Sequence, residues 1–199
     1  FEHSTDKTFH ANYTPEELKK AHKAGIIDKK VIALGGIVNN KSIRTAGDDF
    51  TDEIVEYMRK QHNMHVGERT AEMIKIEVGS ALTELDNPPE EYAVHGRDML
   101  TGIPKEIKVN YSEIAYCLDK SISKIETAVL NALEQTPPEL AADIIDKGII
   151  ITGGGALIHG FDNLLAHELK VPVFVAESPL TCVVEGTGIL LDNLHLLEK

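Results

Sequence analysis

The chain has 199 residues, 42% of them hydrophobic and 26% charged, with 20 Lys+Arg against 32 Asp+Glu and a net charge of −12. That is apolar content for one good-sized domain or two small ones. The acidic balance argues against nucleic acid, which needs clustered Lys/Arg to displace counterions, and no apolar run reaches the roughly 18 residues of a membrane span. The polar, mixed first residues give no signal-peptide pattern. Cys117 and Cys182 sit far apart in apolar segments. They read as reduced core residues of a cytosolic protein.

Residues 1–30 hold six basic and five acidic residues, so the acidity belongs to the rest of the chain. Thr14-Pro15-Glu16-Glu17 is a capping box with Pro at the first helical position, and Gly25 is a natural stop. Together they predict a short helix over Pro15–Ala24, preceded by a weak alternation at Phe9, Ala11 and Tyr13. Val31 to Leu34, Gly35-Gly36 and Ile37 to Arg44 read as a β-hairpin. Phe50, Ile54, Val55 and Met58 share one face of a helix over Asp48–Gln61. After a turn through Gly67 a second helix runs from Glu68 to Val78. Residues 79–91, with Gly, Asn and Pro-Pro, read as a surface loop. Two short strands follow, Tyr92–Arg97 and Glu106–Val109. Ile114, Leu118, Ile122, Ile125, Val129 and Leu133 mark a long amphipathic helix over Ser112–Leu133. Thr136-Pro137-Pro138-Glu139 repeats the capping-box pattern and opens a helix that ends near Gly148. The last third alternates: strand Ile149–Ile151, a glycine run, a helix around Asp162–Leu169, strand Val171–Val175 and a helix after Ser178-Pro179. Such alternation predicts a mixed α/β layer that binds ligands outside its strand ends.

Thr152-Gly153-Gly154-Gly155-Ala156 directly follows an apolar strand. Successive glycines remove the Cβ atoms that would hold a flat ligand away from the backbone, and they expose N–H donors. A plain strand-to-helix turn explains the same residues. Glu72 and Lys75 project from one helix face. There a carboxylate could accept from ribose hydroxyls while the Lys stem packs beside a base. Taken alone, a surface ion pair worth under about 1 kcal/mol is the simpler reading. Gly35-Gly36 has no acid just ahead of it and reads as a hairpin turn. His62 and His65 have no further ligands nearby in sequence, so a solvated helix end is expected rather than a metal site. Asp48, Asp49 and Asp52 suit the N-terminal dipole of their helix.

Several strings in order are more specific than any one motif. Ser42-Ile-Arg-Thr-Ala-Gly-Asp48, Gly67-Glu-Arg-Thr-Ala-Glu-Met-Ile-Lys75, Gln135-Thr-Pro-Pro-Glu-Leu140, Thr152-Gly-Gly-Gly-Ala-Leu157 and Glu177-Ser-Pro-Leu-Thr-Cys182 closely resemble the bacterial actin homologues of the MreB/Mbl rod-shape-determining family. Leu169-Lys-Val-Pro-Val173 and Gly186-Thr-Gly188 lean towards the Mbl branch. The resemblance runs from about Val31 to the C-terminus and covers only the family's second half.

It implies the second lobe of an actin-like ATPase fold (the Hsp70/actin/sugar kinase superfold), a mixed sheet flanked by helices with a small α+β insertion. By resemblance, residues 31–78 and 135–199 form the large subdomain and residues 79–134 the small inserted one, while residues 1–30 match nothing. The family holds ATP or ADP with Mg²⁺ between two lobes. Gly153, Gly154, Gly155 and Ala156 match its adenosine-binding loop, with Ile158 as a base contact. Glu72, Met73, Ile74 and Lys75 match the helix that contacts ribose and base. The first lobe has no counterpart here, nor does the second phosphate loop: Asp28-Lys29-Lys30 stands where its Asp-hydrophobic-Gly-Gly pattern belongs. The implied function is therefore a portion of a cytoskeletal ATPase whose nucleotide-dependent filaments organise cell-wall synthesis and rod shape. The implied partners are copies of itself and the cell-wall elongation machinery. The implied location is cytoplasmic, at the inner face of the membrane through those partners. No catalytic or metal-ligating residue is expected, ATP hydrolysis is not expected of the chain alone, and adenine nucleotides should bind weakly or not at all. A nucleotide-independent interaction module, or a kinase of the same superfold, is the alternative.

Overall fold

The computed structural model describes residues 27–33, 36–43, 45 and 47–192. The short helix expected at Pro15–Ala24 and the alternation before it lie outside these residues. The expected hairpin forms, with strand β1 (Ile27–Ala33) antiparallel to β2 (Gly36–Ile43) and a bulge between Val31 and Ile32. β1 starts at Ile27 rather than Val31, because the backbone of Ile27–Lys30 continues the ladder opposite Asn40–Ile43.

Helix α1 (Gly47–His62) has Asp48 and Asp49 in its first turn and Arg59, Lys60 and His62 in its last, both favourable for the dipole. Its buried stripe is Phe50, Thr51, Ile54 and Met58. Asn63 ends the helix at φ 50°, a left-handed position that Asn tolerates. The chain then makes a two-residue strand β3 (Met64–His65), which no pattern in the sequence predicts. Helix α2 (Glu68–Val78) buries Ala71, Ile74 and Val78. β3, β4 (Tyr92–Asp98) and β5 (Pro104–Val109) form an antiparallel sheet in that order. Helix α3 (Tyr111–Glu134) is capped by the Asn110 side chain, which accepts from the Glu113 N–H at 2.9 Å.

Helix α4 (Pro138–Lys147) leads through Gly148 into β6 (Ile149–Ile151). A one-turn 3₁₀ helix (Gly154–Leu157), helix α5 (Phe161–Leu169) and strand β7 (Val173–Val175) follow. β6 and β7 pair in parallel, Ile149 opposite Val173, joined across the crossover through α5. Helix α6 (Cys182–Asp192) ends the described chain. The molecule is thus mixed α/β, as expected. Its antiparallel and parallel pairs, however, lie in three separate sheets among the described residues rather than in one.

One hydrophobic cluster holds these layers together. Ile54 and Met58 of α1, Ile74 of α2, Val94 and Val109 of the three-stranded sheet, Ile114, Leu118 and Ile122 of α3 and Leu165 of α5 are all buried in it. Each such side chain contributes about 1.5–3 kcal/mol. The cluster and the β3–β4 pairing both run across the boundary expected at residue 79.

Two local expectations are corrected. Thr136 does not cap α4: its hydroxyl donates back to the Ala132 carbonyl at 2.8 Å, and Pro137 occupies the cap position without a side-chain bond. Thr136 closes the last turn of α3, so its hydroxyl reaches that carbonyl first. His62 is not a solvated helix end. It pairs with Glu113, fastening the end of α1 to the start of α3. Among the described residues no helix is long and apolar enough to cross a membrane.

Candidate functional site

Two elements meet at the site. Gly79 follows α2, and its carbonyl accepts from the His159 N–H at 3.0 Å. The His159 carbonyl in turn accepts from the Ala81 N–H at 2.9 Å and from the buried Ser80 hydroxyl at 3.3 Å. These bonds clamp the end of α2 to the segment just after the glycine turn. The start of the expected surface loop at 79–91 is therefore buried, because Ser80 carries that junction.

The turn itself is held from behind. Gly153 stands at φ 86°, a conformation that favours glycine, and its N–H donates to the Pro179 carbonyl at 2.7 Å. A Cβ added at Gly153 or Gly155 would meet no atom of the described residues within 4 Å. The turn is open on that side at these two glycines. Gly154 faces only Leu180, at 3.7 Å. Ala156 is buried, and Ile158 is buried beside Gly79, within 3.1 Å of where a Cβ there would sit. The side chain of Ile158, expected as a base contact, belongs to the core.

On α2 the four expected residues part company. Ile74 is fully buried in the core. Met73 turns towards a small groove of about 190 Å³, shared with Arg69, Thr70, Tyr92 and His95. Glu72 and Lys75 share a face and a bond, Lys75 Nζ to Glu72 Oε2 at 2.6 Å. The Lys75 side chain is only 13% exposed and Glu72 43%, so this is not the exposed surface pair that the spacing alone suggests. The ammonium also donates to the Gly47 carbonyl at 3.0 Å and to Thr51 Oγ1 at 3.1 Å. Those three bonds use all three of its donors.

Thr51 was not anticipated. Its hydroxyl contacts both Gly47 O, at 3.0 Å, and Glu72 Oε2, at 2.7 Å. A hydroxyl within the buried stripe of α1 was the signal available in the sequence. Burial alone pushes the Glu72 carboxyl up, but the hydrogen bonds from Lys75 and Thr51 and the Lys75 charge outweigh it and hold the group below its ordinary range. Glu72 is thus an ionised, half-exposed carboxylate in a fixed orientation. Its Oε1 has no hydrogen-bond partner among the described residues.

The comparisons with known proteins agree on one family. The family model described as MreB/Mbl protein matches residues 23–199. The cell shape-determining protein Mbl of Bacillus subtilis (strain 168) is 50% identical over 175 residues, 88% of this chain and 52% of that protein. The cell shape-determining protein MreB of Escherichia coli (strain K12) is 42% identical over 172 residues, 86% of this chain and 49% of that protein. The crystal structure of MreB5 of Spiroplasma citri bound to ADP superposes with a TM-score of 0.82 at 38% identity, over 88% of this chain and 54% of that one. The chain spans about half the length of the relatives it matches. With its fold and its ordered strings, it belongs to the MreB/Mbl family of actin-like cell-shape proteins.

Proposed function

We propose that this chain forms the adenosine-facing wall of an actin-like nucleotide cleft and a self-associating part of a cell-shape filament. The observation that carries the nucleotide reading is the clamped pair of elements. Open glycine surface at Gly153 and Gly155 and the oriented Glu72 carboxylate lie on segments joined through Ser80 and His159. Support comes from MreB5 of Spiroplasma citri, solved with AMPPNP and with ADP. Of the expected contacts, Gly153, Gly154, Gly155 and Glu72 supply the polar and backbone surface, and Lys75 acts through its stem and by holding Glu72. In this reading the partners are further copies of the chain and the cell-wall elongation machinery, met at the inner face of the membrane.

One wall of a cleft leaves most of a nucleotide in water, and none of these residues offers the charge-assisted partners that a triphosphate and its Mg²⁺ require. The affinity for ATP or ADP is therefore no better than roughly millimolar, about 4 kcal/mol, and the chain alone does not turn ATP over. Calorimetry with ATP and with ADP, with and without Mg²⁺, together with a phosphate-release assay, tests this beside a Gly155→Val variant. That change meets no atom of the described residues within 4 Å at its Cβ but fills the proposed ligand space. Weak binding abolished by Gly155→Val supports the wall. Micromolar binding or phosphate release overturns the incomplete-site reading. Binding of neither nucleotide favours an interaction module without nucleotide contact, a reading that draws on the spent donors of Lys75.

A further inference from the structure

A groove of about 420 Å³ runs between the end of β2 and the middle of α3, and no residue of the nucleotide wall lines it. Its floor is apolar: Ala128 is buried, and the half-buried Ile43 packs against the core cluster. The α3 wall extends from Lys120 to Asn131, about 16 Å or three turns of helix. Two neutral groups on that wall are spent within the helix. The Thr127 hydroxyl donates to the Ser123 carbonyl at 2.8 Å, and Asn131 Nδ2 donates to the Thr127 carbonyl at 2.7 Å. Lys120 and Lys124 stand exposed one turn apart, and neither ammonium has an ion-pair partner among the described residues.

The acids of α3 gather on another flank. Burial pushes the Glu126 carboxyl up, and the negative charges of Glu168 on α5 and of Asp119 add to the effect. The flank towards α5 is therefore negative and the flank towards β2 positive, in a chain of net charge −12. Two like charges four residues apart on a helix repel each other. An anionic partner removes that repulsion, and the floor at Ile43 and Ala128 offers it apolar contact. Open along its length, the groove suits an elongated ligand better than an enclosed small molecule.

We infer that this groove receives an acidic amphipathic helix of a partner protein, about three turns long. Its apolar side rests on Ile43 and Ala128, and two of its carboxylates, one turn apart, pair with Lys120 and Lys124. The same four-residue spacing on both helices lets the two pairs form together, which a free anion cannot do. The contact uses no residue of the nucleotide wall and needs no association between copies of the chain. It therefore stands apart from the function proposed above.

Fluorescence anisotropy with the 199-residue chain tests it. The probe is a fluorescein-labelled helical peptide of about 14 residues of Glu, Ala and Leu, with one leucine stripe and Glu at four-residue spacing. Saturable binding with a Kd of about 10–100 μM is expected, weakening with added salt. The double variant Lys120→Glu, Lys124→Glu should weaken it about tenfold or more. Both side chains are exposed, so circular dichroism and the unfolding midpoint stay unchanged. The same peptide with Lys in place of Glu should bind that double variant and not the wild type, a rescue that a merely structural role would not produce. No saturable binding below about 1 mM overturns the inference. So does equal binding of polyglutamate without the leucine stripe, which would make the lysines a plain ion-exchange surface. Sedimentation that shows the double variant losing self-association, with no peptide binding to the wild type, would assign the groove to a second copy and overturn the inference as well.

Discussion

Lys75 shows what a single side chain does in this fold. Its ammonium joins α2 to the first turn of α1 through Gly47 O, Thr51 Oγ1 and Glu72 Oε2. Replacing it by Met keeps the stem but leaves a part-buried carboxylate and a carbonyl without their donor. Lys75→Met should cost about 1–3 kcal/mol in urea unfolding. The same network sets a pH dependence. The Glu72 carboxyl sits below its ordinary value of 4.5 when folded, so its contribution is complete above that pH and is lost as pH falls through the folded value. Acid titration of stability below pH 4.5 should be flatter in Lys75→Met than in the wild type. Cys117 offers a second test. Burial, helped by the nearby Glu53 and Glu113 charges, pushes its thiol up to about 12. Because the thiolate is the reactive form, iodoacetamide at pH 8 should label Cys182 in the native chain and Cys117 only after unfolding. Equal native labelling by mass spectrometry would contradict that placement.

At the scale of elements, the glycines separate structural need from ligand space. Gly148 lies at φ 76° between α4 and β6, where a Cβ would fall 2.6 Å from Pro172 O and 2.8 Å from the Phe174 ring. Gly148→Ala should destabilise by about 1–3 kcal/mol. Gly155→Ala, with nothing within 4 Å, should stay within about 0.5 kcal/mol of the wild type. Equal losses at both positions would show that the open side of the glycine turn is structural. Element type was legible because apolar spacing reports directly on which face is buried: Ile114, Leu118, Ile122 and Ile125 all lie in the α3 core stripe. β3 was not legible, since two residues carry no periodicity and pair with Asp98 and Arg97 only once the chain has folded back. The role of Thr136 failed for a related reason. Its hydroxyl donates to the Ala132 carbonyl of the preceding helix instead of accepting from an N–H of α4, because Thr136 still closes the last turn of α3.

For the whole molecule, the uneven finish of its surface is the chief feature. The α1–α3 and three-stranded-sheet region encloses a continuous core, whereas the β6–β7 pair leaves Ile150 and Phe174, opposite each other in register, exposed on a parallel sheet. Parallel pairs are ordinarily covered on both faces. The folded chain should therefore bind the dye ANS while still unfolding cooperatively, and Phe174→Ser should lower that fluorescence. Absence of dye binding would mean that the face is closed in solution. The sequence by itself determined the order and type of the elements and the family, because periodicity, turn residues and ordered strings are local properties. Through the resemblance it also made Gly153–Gly155 and Glu72 candidates for nucleotide contact. Only the tertiary structure decided that Ile74 and Ile158 face the core, that Thr51 completes the Lys75 network, and that Ser80 and His159 join α2 to the glycine turn. Those outcomes depend on pairings across 24 to 79 residues of chain, which no local pattern encodes.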